Sequence, residues 1–205
     1  MSQPPVPPAV LQAFGRREDP GKALAADAEQ VAHACRDMAL RFHRGGKLIV
    51  FGNGGAAADA QHVAVEFVHP VIVGKRALPA ISLANDAATL TGIARTDGFE
   101  ATFAAPLKLL AAADDIAMGI SPDGRCKNVL RGLQTAHDLG LLTIALAGGT
   151  GGLLADNKAL DHLLIARSDD PCVVKEVHVT IYHILWELVH VFFEQAGLLG
   201  PEVIR

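Results

Sequence analysis

The chain lacks a basic face. Its 18 Lys and Arg are outweighed by 22 Asp and Glu, giving a formal net charge of −4. Nowhere do clustered cations alternate with aromatics, which make up only 5 % of the residues. Direct nucleic-acid binding is excluded as the primary role on both counts. Cysteine is equally sparse: Cys35, Cys126 and Cys172 are odd in number, widely spaced and form no C-x-x-C pattern, as suits reduced thiols of a cytoplasmic protein. No apolar run approaches the roughly 18 residues of a membrane span. The start, Met1 to Pro8, offers neither a basic nor an apolar leader segment, so the expected compartment is the cytoplasm, with no membrane partner.

What is present is enough for one substantial core: 205 residues, half of them hydrophobic. A proline-rich arm is expected over 1–20, followed by one domain over 21–205. Helical spacing over 21–43 predicts a leading helix that stops at Gly45-Gly46. Strand-length apolar runs follow at Leu48–Phe51, Leu78–Leu83, Ile116–Ile120, Leu141–Leu146 and His162–Ile165. Between them, helical spacing appears over 57–68, over 86–112 in one or two pieces, over 125–139 and briefly near 152–158. Apolar strands alternating with helices predict an α/β fold: a three-layer α/β/α sandwich with a mostly parallel five-stranded sheet. A long helix from about Cys172 to Ala196 closes the chain. It is apolar on more than one side, from Val174 to Phe193, which predicts a surface shared with another subunit.

Ligands of such sheets bind at the carboxyl ends of the strands. Asn53, Gly54 and Gly55 follow the first strand directly and open a helix, a strand–glycine–helix piece suited to an anion because the turn bares N–H groups and the helix start carries partial positive charge. On that helix His62 and Glu66 stand four residues apart, on one face, as an acid/base or metal pair. Lys175, Glu176, His178, Tyr182 and His183 form a polar band on the last helix, and polar groups in an apolar helix need partners. His178 and His190 are expected to pack rather than ligate, as are Tyr182 and Trp186 with their polar tips bonded. The run Gly148-Gly149-Thr150-Gly151-Gly152 lacks the Lys-Ser/Thr of a Walker motif and is expected to form a mobile rim.

Gly52-Asn53-Gly54-Gly55 with Gln61-His62 and Glu66, Asp97-Gly98-Phe99, the turn Gly119-Ile120-Ser121 to Gly124, and a late helix with Glu176 and His183 together resemble the sugar isomerase (SIS) domain family. The resemblance runs from about residue 21 to 196 and is nearest to the phosphoheptose isomerases. It implies the SIS fold and interconversion of sedoheptulose 7-phosphate and D-glycero-D-manno-heptose 7-phosphate through an enediol, with Glu66 as base and His183 as acid. It further implies a homotetramer with sites between subunits, a phosphosugar ligand near Asn53, Gly54, Gly55, Asp97, Ser121, Asp123, Gly124, Arg125 and Lys175, and zinc on His62, Glu66 and His183.

The chain departs from that family at four points, one being Ala56 in place of the serine usual after the first glycine pair. Lys175 stands where a zinc-binding glutamine is usual, and an ammonium has no lone pair for a metal; it is expected to fill the metal's region and polarise the substrate carbonyl instead. The hydroxyl-rich phosphate turn reads Ser121-Pro122-Asp123-Gly124-Arg125-Cys126, adding a repelling carboxylate and, with Lys127, two cations. His69-Pro70 replaces an arginine. Two alternatives therefore stay open: a non-catalytic phosphosugar-binding or partner-scaffolding protein, and an isomerase of a different sugar whose hydroxyl Asp123 would bond.

Overall fold

The computed structural model describes residues 5–199; the first four residues of the arm and the expected Gly200-Pro201 stop lie outside that range. Three helices lead: α1 (Pro8–Gly15), α2 (Glu18–Ala26) and α3 (Ala28–His43). The single helix expected over 21–43 is thus two pieces parted at Asp27, with a third inside the proline-rich segment. Pro8 and Pro20 both fall in a first helical turn, where the missing N–H has no intrahelical partner to lose. Helix α3 ends as expected, with Gly45 at φ +89° and the Gly45 and Gly46 N–H groups donating back to Phe42 and Arg41 carbonyls.

There follow β1 (Leu48–Gly52), α4 (Gly55–Val68), β2 (Ala80–Ser82), α5 (Ala87–Thr96), α6 (Ala104–Leu110), β3 (Ile116–Ser121), α7 (Lys127–Asp138), β4 (Leu142–Gly148), β5 (His162–Ala166) and α8 (Pro171–Glu194). The second strand is shorter than its apolar run because Pro79 cannot donate to a ladder and the Leu78 N–H bonds Phe67 instead. The helix expected near 152–158 is one 3-10 turn, Gly152–Leu154, entered through Gly151 at φ +88°.

All five strands are parallel, in the order β2-β1-β3-β4-β5. Successive side chains feed two separate cores, as the period of two requires. Leu48, Val50, Met118, Ile144 and Leu164 meet α3, α4 and α8, whereas Ile49, Phe51, Ala117 and Ala145 meet α6 and α7. The result is the three-layer sandwich the sequence predicts. Because β1 is interior and the chain leaves it toward β2 but returns through β3 on the other side, α4 and α7 cover opposite faces. A crevice is left outside the carboxyl ends of β1 and β3.

Candidate active site

Both turns at that crevice are fixed by their own side chains. After β1, Gly54 adopts φ +55° and Gly55 begins α4, so its N–H is among those a helix leaves without an internal partner. Asn53 and the buried Asn128 of α7 exchange amide hydrogen bonds of 2.8 and 2.9 Å, and Asn128 also donates to the Thr102 hydroxyl at 3.0 Å. Asn53 thus ties the β1 turn to the start of α7. Neither Asn128 nor Thr102 carries a sequence signal beyond lying near a turn.

After β3, Ser121 is wholly buried and its hydroxyl accepts the Cys126 N–H at 3.1 Å. The Asp123 carboxylate folds back into the same turn, accepting the Arg125 N–H at 2.9 Å and the Ser121 hydroxyl at 3.3 Å. A carboxylate therefore sits in the turn expected to hold a phosphate. Of its two cations, Lys127 lies 3.5 Å from Glu100, while the exposed Arg125 guanidinium has no carboxylate partner among the described residues. The glycine run after β4 packs on this turn: Leu153 donates to the Gly124 carbonyl, and a Cβ on Gly124 would lie 1.9 Å from the Gly151 oxygen. The two loops are in backbone contact. Beside them opens a cleft of about 650 Å³ lined by Asp123, Arg125, Thr150, Ser168 and Asp169, a volume typical of small-molecule sites.

Further along α4, one face meets α8. His62 Nε2 lies 3.2 Å from Glu66 Oε1, and Nδ1 lies 3.1 Å from the Tyr182 hydroxyl. The His183 ring centroid is 5.4 Å from that of His62. One ligand atom each from His62, Glu66 and His183 falls within 4.8 Å of the others. Two imidazoles and a carboxylate form a zinc-type donor set, so these three residues fit a metal. Glu66 is 13 % exposed at its side chain, and its backbone carbonyl accepts the Trp186 indole N–H at 2.9 Å. Tyr182 belongs to the cluster rather than merely packing beside it; its signal was adjacency to His183. Burial, then the Asp59 and Glu66 carboxylates, push its phenol above the ordinary range.

Lys175 is elsewhere. It precedes His183 by eight residues, about 12 Å of helix rise. Its ammonium pairs with buried Asp59 and donates to the Gly55 carbonyl at 3.1 Å. In this structure its ammonium is engaged by Asp59 and the Gly55 carbonyl rather than set between His62, Glu66 and His183. Asp97 is likewise apart, exposed at the end of α5. His178 and His190 pack as expected. His178 Nε2 donates to Ala147 at 2.9 Å, and burial lowers its pKa. Both His190 nitrogens face backbone carbonyls, those of Trp186 and Arg76. Burial pushes the Cys35 thiol up to about 12, so it is an inert filler.

Residues 21–148 match the SIS domain family. The chain belongs to that family. Among curated relatives, the phosphoheptose isomerase of Solidesulfovibrio magneticus is 43 % identical over 175 residues, covering 85 % of this chain and 84 % of the relative. That of Aquifex aeolicus is 40 % identical over 162 residues, covering 79 % and 84 %. Among solved structures, a phosphoheptose isomerase from Francisella tularensis superposes with a TM-score of 0.83 at 31 % identity, covering 89 % of this chain and 96 % of that one.

Proposed function

We infer that this SIS protein isomerises sedoheptulose 7-phosphate to D-glycero-D-manno-heptose 7-phosphate. The observation that carries the reading is the meeting of Glu66, His62 and His183 on facing helices in a chain whose relatives, about 40 % identical over most of its length, are phosphoheptose isomerases. The ketose carries its carbonyl at C2. Glu66 removes a proton from C1, giving the 1,2-enediol, and returns it to C2, while His183 moves the proton between the two oxygens. Imidazole suits the second task because its ordinary pKa lies near neutrality. A metal on His62, Glu66 and His183 would supply Lewis-acid polarisation of the carbonyl. Arg125 is the cation for the phosphate.

The protein is further read as a cytoplasmic homotetramer, with sites shared between copies. Val71, Ile72 and Val73 are exposed, and an apolar groove of about 250 Å³ runs between α2, α3 and α8, lined by Leu24, Val31, Ile184 and Leu188. Both support self-association.

The test is incubation with sedoheptulose 7-phosphate in D2O, followed by NMR. Aldose bearing deuterium at C2 is expected. Absence of both aldose and exchange, with and without zinc, would sink the assignment.

A second reading draws on Asp123, whose carboxylate already holds the turn's Arg125 N–H: the sugar end bound there is a hydroxyl. Asp123→Ser separates the two. If the turn takes phosphate, removing the like charge lowers KM for the phosphosugar about tenfold, the effect of roughly 1.4 kcal/mol. If Asp123 bonds a sugar hydroxyl, KM rises instead.

A further inference from the structure

Glu66 lies in the last turn of α4, which ends at Val68, and the final carbonyls of a helix have no partner within it. The Val65 carbonyl accepts the His69 N–H at 2.7 Å, and the Phe67 carbonyl accepts the Leu78 N–H at 2.8 Å. For Glu66 the donor four residues on would be residue 70, and Pro70 has no N–H. The proline also disfavours helical backbone at His69, which sits at φ −132° and ψ 78°, so the helix cannot continue. The Glu66 carbonyl is served by a side chain instead: the Trp186 indole N–H donates to it at 2.9 Å.

Trp186 comes from α8, three residues after His183 and so about one turn along the same helix. It is buried, and the His190 ring packs on it with centroids 4.5 Å apart. One hydrogen bond thereby joins the turn of α4 that carries the base to the turn of α8 next to the acid.

We propose that Trp186 is a positioning residue for the isomerisation, replacing the donor that Pro70 withholds and fixing the Glu66 carboxylate relative to His183 and the sugar. Helix ends open at little cost in free energy. A carboxylate that takes a proton from C1 and returns it to C2 tolerates little such motion, since a misplacement of about 1 Å can lower the rate roughly 10²-fold. Trp186 has this role only if Glu66 is the base, but the state of its N–H is read without turnover, so this assignment and that of the isomerase can fail separately.

Trp186 is the chain's only tryptophan, so the full-length protein gives a single indole cross-peak in 1H–15N correlation. That N–H is expected to exchange with D2O at least about 100-fold more slowly than in free tryptophan. Trp186→Phe, which keeps an aromatic ring and removes the donor, is expected to lower kcat roughly 10- to 100-fold with KM changed less than about twofold. In a Glu66→Gln background the same change should alter the residual rate less than about twofold, because a residue acting through the Glu66 carboxylate has nothing left to position. A tryptophan that only supports the fold would lower the rate equally in both backgrounds. If Trp186→Phe does not fold, protein carrying 3-benzothienylalanine at this single position replaces it, with sulfur for the N–H in a ring of the same shape. A wild-type indole N–H exchanging as fast as in free tryptophan overturns the proposal whether or not any variant folds. So does an unchanged kcat in the folded variant, or an equal loss with and without the Glu66 carboxylate.

Discussion

Glu66→Gln is expected to abolish aldose formation and C2 deuteration together, lowering kcat by about 10³-fold, within the range assigned to a positioned general base. The amide keeps the side chain's size and leaves the Glu66 carbonyl on Trp186, so the fold is preserved and sedoheptulose 7-phosphate still binds. Calorimetric titration of the variant should give a Kd within a few fold of wild type. Binding kept with turnover lost is the signature of a base. A protein acting only as a phosphosugar sensor or scaffold would be indifferent to the change. Loss of binding and turnover in parallel would assign Glu66 to holding the ligand and leave the proton transfer without a base.

The second large effect is expected at Gly124, through backbone geometry. Its φ of +66° strains any L side chain, and an added Cβ would meet the Gly151 oxygen at 1.9 Å and the Gly152 nitrogen at 2.9 Å. Backbone cannot rotate out of the way as a side-chain tip can. Gly124→Ala must therefore part the β3 turn from the glycine run after β4, costing about 3 kcal/mol and lowering Tm by roughly 10 °C for a chain of this size. Because Arg125 rides on the same turn, KM for the phosphosugar should rise by at least about tenfold. Gly92→Ala is the control. Gly92 lies within α5 with nothing near its added Cβ, and alanine there should be neutral or stabilising by about 0.5–1 kcal/mol. A Gly124→Ala protein that melts and binds like wild type would show that the two loops are independent.

The fold was legible because its signals are periodic and local. The apolar runs at Leu48–Phe51 and Ile116–Ile120 needed no tertiary information, and Gly45-Gly46 marked the end of α3 correctly. The helix inside the proline-rich arm was not legible: Pro8 lies in its first turn, a placement that depends on where the helix begins. At the site, His62 and Glu66 could be paired because one helix carries both, and their meeting with His183 came through the family resemblance. The partners that hold the site were hidden for the opposite reason. Asn128 lies 75 residues from Asn53 and Tyr182 lies 120 from His62, with no periodicity linking either pair. Asp123 was legible as a charge, but only the turn's geometry shows that its carboxylate accepts the Arg125 N–H and the Ser121 hydroxyl. Lys175 shows the limit of reading by position: its residue type was informative, but its pairing with Asp59, 116 residues away, was not legible.

The reciprocal amide pair between Asn53 and Asn128 has a thermodynamic consequence. With Thr102 as a third anchor, it makes the turns on either side of the β1/β3 crevice a single rigid body, set when the chain folds. The entropy of ordering those turns is lost before any ligand arrives. Binding free energy at this end of the site therefore carries no share of that cost, and any closing motion has to come from segments outside the body, such as residues 69–79 between α4 and β2.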